Sequence, residues 1–247
     1  MSVKKDASGR RSIAVEVEVT GTPEEVWEAI ATGPGVSSWF VPTEVDETAG
    51  KRTAHFGPGM DSESKITAWD PPRRFTAENS DFGPNTPPMA TEWTVEARAG
   101  GKCLVRVVHS LFASTDDWDN QLESLESGWP PFFRILELYL SRFRGQRCSY
   151  FSVMSIVPGS EEQVWKSLAS APLQGTVEMR KDSDHAFKLV RLEAPAPGFA
   201  ILNTCGMGSQ VMAMITVYLY GEQGAAAAAR DEEWWQAWMK EQFPTSA

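Results

Sequence analysis

Histidine and cysteine are scarce in this 247-residue sequence, with three of each. Cys103, Cys148 and Cys205 stand far apart, which supplies neither a disulfide framework nor zinc-ligand spacing, so each reads as a small buried hydrophobe. That usage fits a reducing compartment and a cytoplasmic location. None of the histidines has metal-ligand spacing, and no metal or cofactor is expected. Positive charge is also short: 23 Lys and Arg face 33 Asp and Glu, a net charge of −10. A general nucleic-acid binder or anionic-membrane binder needs a basic face, so both classes are excluded. No apolar run approaches the roughly 20 residues that span a bilayer. Residues 1–11 are polar and basic without a signal-like apolar segment, and they read as a disordered tail. A nucleophile elbow is missing too, which leaves Ser/His/Asp catalysis unsupported and the catalytic set empty. Asp116, Asp117 and Asp119 lack the glycine and distal glutamate of a calcium loop and read as a solvated face.

What the chain does have is a repeated phrase. An alternating strand at 13–19 runs into Thr22-Pro-Glu-Glu-Val-Trp27, and a strand at 150–157 runs into Ser160-Glu-Glu-Gln-Val-Trp165. In both, a hydroxyl residue stands where an N-cap oxygen satisfies orphan backbone donors, followed by acidic residues that the helix dipole favours. Two such openings predict two similar domains in tandem. After the first come a turn-rich stretch ending in Trp39-Phe40-Val-Pro42 and strands at 52–56, 64–69 and 74–79. The proline-rich loop 81–88 follows, then strands 91–97 and 103–109 around Gly100-Gly101. Residues 114–127 read as mobile or weakly helical. A helix is expected from Gly128 to Leu140, with Pro130 and Pro131 at its start and Trp129, Phe132, Phe133, Leu136 and Leu140 as its buried stripe.

These phrases, together with Ile66-Thr-Ala-Trp-Asp-Pro-Pro-Arg-Arg-Phe75, Val107-Val-His-Ser-Leu-Phe112 and Gly128-Trp129, resemble the START-related SRPBCC superfamily. Within it they look most like the branch named for the activator of heat-shock-protein ATPase, over residues 10–145. The resemblance implies an α+β helix-grip fold, as in START and birch-pollen-allergen proteins, in which a curved antiparallel sheet wraps a long C-terminal helix. It also implies a cavity that holds apolar small molecules in many relatives.

The division expected is a first domain at 12–145 and a shorter, degenerate helix-grip copy at 148–247. The copy has strands near 175–180, 186–192, 199–204 and 210–220 and a last helix at 225–243. It lacks a counterpart of Trp39-Phe40, which makes a cavity of its own doubtful. Its strand 210–220 is apolar on both faces, so both need covering, and the first domain or a second subunit are the candidates. Tight interdomain packing and a homodimer therefore both stay open.

Ten tryptophans are the stronger functional signal. Trp39, Phe56, Phe75, Trp93, Val107, Trp129, Phe133 and Leu136 are candidate pocket-lining residues, weighed against plain core packing. His109 shares a strand face with Val107 and offers a hydrogen bond inside, whether to a ligand or as a core histidine; His55 and His185 read as surface residues. Phe56-Gly-Pro-Gly59 and Pro84–Pro88 are loop punctuation or lids. The resulting expectation is a noncatalytic binder of a small apolar or aromatic molecule in the first domain, with the second as scaffold. A cyclase- or hydrolase-like enzyme and a co-chaperone or stress-response interaction protein are the alternatives.

Overall fold

Strand β2 (Arg10–Thr20) alternates as its sequence does and leads into helix α1 (Pro23–Ala31). The turn between them is fixed reciprocally: Glu25 N–H donates to Thr22 Oγ1 (3.3 Å) and Thr22 N–H to Glu25 Oε2 (2.9 Å), a complete capping box. A single helical turn, α2 (Gly33–Val36), then packs against α1 so closely that a Cβ on Gly35 would stand 1.9 Å from the Glu28 carbonyl oxygen. Only glycine permits that approach. The computed structural model describes residues 3–57, 59–79, 87–113 and 115–244. Its contacts divide the chain into two units, Met1–Arg144 and Gly145–Ala247.

In the first unit β3 (Thr43–Asp46), β4 (Lys51–His55), β5 (Asp61–Asp70), β6 (Arg74–Asn79), β7 (Met89–Arg98) and β8 (Lys102–Phe112) complete one sheet. With β1 (Lys4–Lys5) at one edge the order is β1-β2-β8-β7-β6-β5-β4-β3, and every neighbouring pair is antiparallel. A bulge between Ile66 and Ala68 interrupts the β5–β6 register, the kind of irregularity that bends a sheet. Helix α3 (Asp119–Arg142) packs on β2 and closes the unit.

Two features depart from the sequence reading. Residues 3–11 are ordered, because Lys5 and Arg11 converge on two carboxylates. Lys5 Nζ lies 3.0 Å from Asp116 and 2.8 Å from Asp119, and the buried Arg11 lies 2.7 and 2.6 Å from the same pair. The acidic residues expected to be solvated are thus the anchor for the basic segment. Secondly, α3 starts at Asp119 and not at Gly128, after a 3-10 turn at Asp116–Trp118. Pro130 and Pro131 sit inside it and lack the N–H groups that would reach Glu126 and Ser127. The early turns are held instead by Leu122, fully buried against Ile13 and Leu111.

The second unit repeats the plan with fewer strands. β9 (Cys148–Pro158) leads to α4 (Glu161–Ala169), whose N-cap Ser160 Oγ accepts from Gln163 N–H at 3.3 Å. Strands β10 (Thr176–Lys181), β11 (Phe187–Leu192), β12 (Gly198–Met207) and β13 (Gln210–Tyr220) form the antiparallel order β10-β11-β12-β13-β9. Helix α4 packs on β12 and β13, and α5 (Gly224–Gln242) on β9 and β13. Their core joins Trp165, Leu168, Ala213, Ile215, Trp235 and Met239. The other face of β13 is buried as well: Thr216, Tyr218 and Tyr220 are at most 3% exposed. Each unit is a helix-grip domain.

Candidate functional site

The site is built on the face of the first sheet that α3 covers. Alternation along β6, β7 and β8 sends Phe75, Trp93 and Val107 inward as one row, since Phe75 pairs with Trp93 and Trp93 with Val107. Trp39 enters from the segment after α2 and is pinned by donating its indole N–H to the Ala29 carbonyl (2.8 Å). Helix α3 brings Trp129, Phe133 and Leu136 from above. The rings meet in a continuous cluster. Trp93 lies 6.2 Å from Trp39, 6.2 Å from Phe75, 5.3 Å from Trp129 and 6.1 Å from Phe133, centroid to centroid.

His109 is the polar centre of that cluster. Its ring lies nearly parallel to the Trp129 indole, with centroids 5.7 Å apart and an angle of 18°. Trp129 Nε1–H donates to His109 Nε2 (2.9 Å), and Nδ1 stands 3.0 Å from Thr91 Oγ1. An indole only donates, so Nε2 must accept, and the proton of the neutral ring belongs on Nδ1, where it reaches Thr91. Burial, helped by the Arg52 charge, pushes the imidazole down to about 4. His109 is therefore a neutral spacer with both nitrogens engaged, which ties α3 to β7 through β8.

Eight of the nine candidate residues come together here, all buried: Trp39, Phe75, Trp93, Val107, His109, Trp129, Phe133 and Leu136. Phe56 stands apart at 41% exposed. It reaches the cluster through Phe40, which is stacked on Trp129 at 5.4 Å and meets Phe56 at 5.8 Å and Phe132 at 4.8 Å. Phe40, Phe132, Thr91 and Arg52 were not among the expected site residues. For Arg52 the signal was available, since it shares the two-residue period of Ala54 and Phe56. His55, expected at the surface, is half-buried with Nδ1 2.8 Å from Asp61. His185 is exposed in a left-handed backbone conformation. Of the two loops read as lids, Pro58 and residues 84–86 lie outside the described residues.

In the second unit, where a cavity was doubtful, a cleft of about 330 Å³ opens between Phe151, Leu192, Val217, Leu219, Trp234 and Trp235. Trp234 and Trp235, adjacent on α5, hold one wall edge-to-face at 4.7 Å. Both β8 and β13 are eleven-residue strands, and in that register Val217 occupies the place of His109. Among the described residues no group of three His, Cys, Asp or Glu side chains is placed to hold a metal ion, and no helix is long and apolar enough to cross a membrane.

Among curated proteins none matches this sequence. Several solved structures are similar in fold. The di-domain ARO/CYC BexL from the BE-7585A biosynthetic pathway is 14% identical, with 96% of this chain and 100% of that one covered at a TM-score of 0.49. DynU16, a putative protein in the dynemicin biosynthetic locus, is 19% identical over 92% and 94% at 0.46. The Aha1 dimer from Colwellia psychrerythraea is 19% identical over 54% and 98% at 0.45. Residues 20–141, nearly the whole of the first unit, match the family described as Activator of Hsp90 ATPase homolog 1-like protein. That match covers 122 of the 247 residues, so it is the first unit that is similar to the activator-of-Hsp90-ATPase family.

Proposed function

We propose that the first unit binds a small apolar or aromatic molecule without transforming it, and that the second unit serves as its scaffold. The observation that carries this reading is the aromatic rim. Phe40, Phe56 and Phe132 keep solvent-accessible ring surface beside the buried pair of Trp129 and His109. Rigid rings exposed at the border of a buried aromatic cluster offer contact area at little entropic cost, the pattern of a small-molecule site. The noncatalytic part rests on His109. A general base needs a free lone pair within reach of a substrate proton, and Nε2 already accepts from Trp129.

The scaffold role is supported by two features of the second unit. Its cleft carries Val217 where the first unit has His109, and both faces of β13 are buried from Ile215 to Tyr220. Cytoplasmic placement belongs to the same proposal, supported by three free cysteines.

The test is a thermal-shift and tryptophan-emission screen of the full chain against aromatic and apolar metabolites. Binding raises apparent stability by mass action, and a ligand against Trp129 quenches its emission. A broad panel that moves neither melting temperature nor emission overturns the reading. Turnover of a bound compound that is lost in His109→Gln favours a cyclase- or hydrolase-like enzyme instead.

A further inference from the structure

Strand β4 contributes one side chain that the aromatic cluster does not account for. Arg52 alternates with Thr53 and shares its face with Ala54, which is 2% exposed and therefore marks the inward side. Across the sheet Arg52 pairs with Val45 on β3 and Ser64 on β5. Nearby on the same face Asn79 Nδ2 donates to Ser62 Oγ (2.6 Å). The cross-strand neighbours of Arg52 on this face are thus an aliphatic residue and a serine, at the end of the strand where β4 hands over to Phe56.

No partner meets it. Arg52 Nε is sealed from solvent without a hydrogen-bond acceptor, and among the described residues no carboxylate oxygen lies within 4.0 Å of the group. Arg106 shows the contrast. Its Nε is also buried, but Glu16 Oε1 stands 3.4 Å away. The carboxylates nearest Arg52 in register face the other way, because Glu63 pairs with Thr53 and holds Lys51 at 2.6 Å. Arg52 as a whole nevertheless keeps some accessible surface, so it borders a space that solvent-sized molecules reach. Its charge also adds, after burial, to the lowered basicity of His109. Sealing the Nε–H of a guanidinium from water without an acceptor is costly, and a fold keeps such a group where something else completes it.

We infer that the molecule bound by the first unit is an aromatic carboxylate, whose ring lies on the Phe40, Phe56 and Phe132 rim and whose carboxylate is received by Arg52. This rests on the binding reading above and adds the charge of the ligand to it. A planar, always-ionised fork matches two carboxylate oxygens, whereas an uncharged ligand leaves the buried group as it is.

The experiment compares acids with their primary amides, which keep the shape and lose the charge. Benzoic, 2-naphthoic and anthracene-2-carboxylic acids and the corresponding amides are titrated at neutral pH by calorimetry into the full-length protein and its Arg52→Gln and Arg52→Lys variants. The expected result is that the best-fitting acid binds the unaltered protein about tenfold or more tighter than its amide. Arg52→Gln should erase that ratio, and Arg52→Lys should restore part of it. Equal binding of acid and amide to the unaltered protein, or a ratio that survives in Arg52→Gln, overturns the inference and leaves the binding site intact. If neither acids nor amides bind, and uncharged aromatics in the wider screen fail too, the binding reading itself falls. Melting curves of the variants separate lost recognition from lost folding, and if Arg52→Gln does not fold, Arg52→Lys and Arg52→Met carry the comparison.

Discussion

Trp129 on α3 donates its indole N–H to Nε2 of His109 on β8 at 2.9 Å while the two rings lie nearly parallel. The rings therefore meet edge to edge through an in-plane hydrogen bond, which determines both the protonation state of the histidine and the position of the helix.

The pH dependence of stability follows from that state. Burial first, and the Arg52 charge second, lower His109 from 6.5 to about 4 in the folded protein. Below about 6.5 the unfolded chain takes up a proton at this site that the folded chain refuses, so the contribution is full above that pH and drains away as pH falls toward 4. The effect is on the order of 3 kcal/mol across the window. Urea denaturation at pH 7 and pH 4.5 should show this loss, and His109→Gln should have a visibly flatter profile. Equal pH profiles for the two proteins would refute the neutral-histidine assignment.

Trp129→Phe keeps the ring and removes the donor. Nε2 of His109 is then left buried and unpaired, which costs about 1–3 kcal/mol. Trp129→Ala also opens a cavity and should cost about 3–5 kcal/mol with a clear loss of ligand-induced quenching. Equilibrium denaturation should rank the two in that order.

Arg52→Met should stabilise the ligand-free protein. It replaces a half-buried cation that has no anion with a side chain that packs, and so removes the cost of the unpaired Nε–H, about 1–3 kcal/mol. It also removes the second cause of the depressed His109 basicity, so an NMR titration should place that histidine higher than in the unaltered protein. A destabilised Arg52→Met with an unmoved His109 would contradict the placement of Arg52.

The amino-terminal segment should act as a clasp on α3. Hydrogen bonds first from Lys5 and also from Arg11 lower the carboxyl pKa values of Asp116 and Asp119. Their pairing is present at neutral pH and fails as acid protonates the two aspartates. Arg11→Ala should therefore speed amide exchange over the first turns of α3 around Leu122 and leave β6 and β7 unchanged, as read by hydrogen–deuterium exchange.

Much of the frame was legible because it rests on period and capping. The alternation of Glu92-Trp93-Thr94-Val95-Glu96 placed Trp93 inward without reference to anything distant, and Thr22 and Ser160 announced their helices by the oxygen each offers the backbone. What escaped depends on partners far along the chain. Asp119 looked solvated until Arg11 arrived beside it, and with that pairing came a helix start nine residues earlier than Gly128. Arg52 escaped for a different reason. A charged residue in a short strand ordinarily faces water, and only the buried Ala54 two residues on shows that this one does not.

Laid over one another from β2 onto β9, the two sheets match strand for strand through β8 and β13, β7 and β12, β6 and β11, and β5 and β10. Among the described residues nothing in the second unit corresponds to β3 or β4. The copies therefore differ at this edge by one contiguous cassette, and Arg52 is carried on it. The segment from Thr43 to His55 is thus where the two copies part, and it is tied back into the first unit by Thr43, whose backbone bonds Ser37 Oγ, so the charge and the turn after α2 go together.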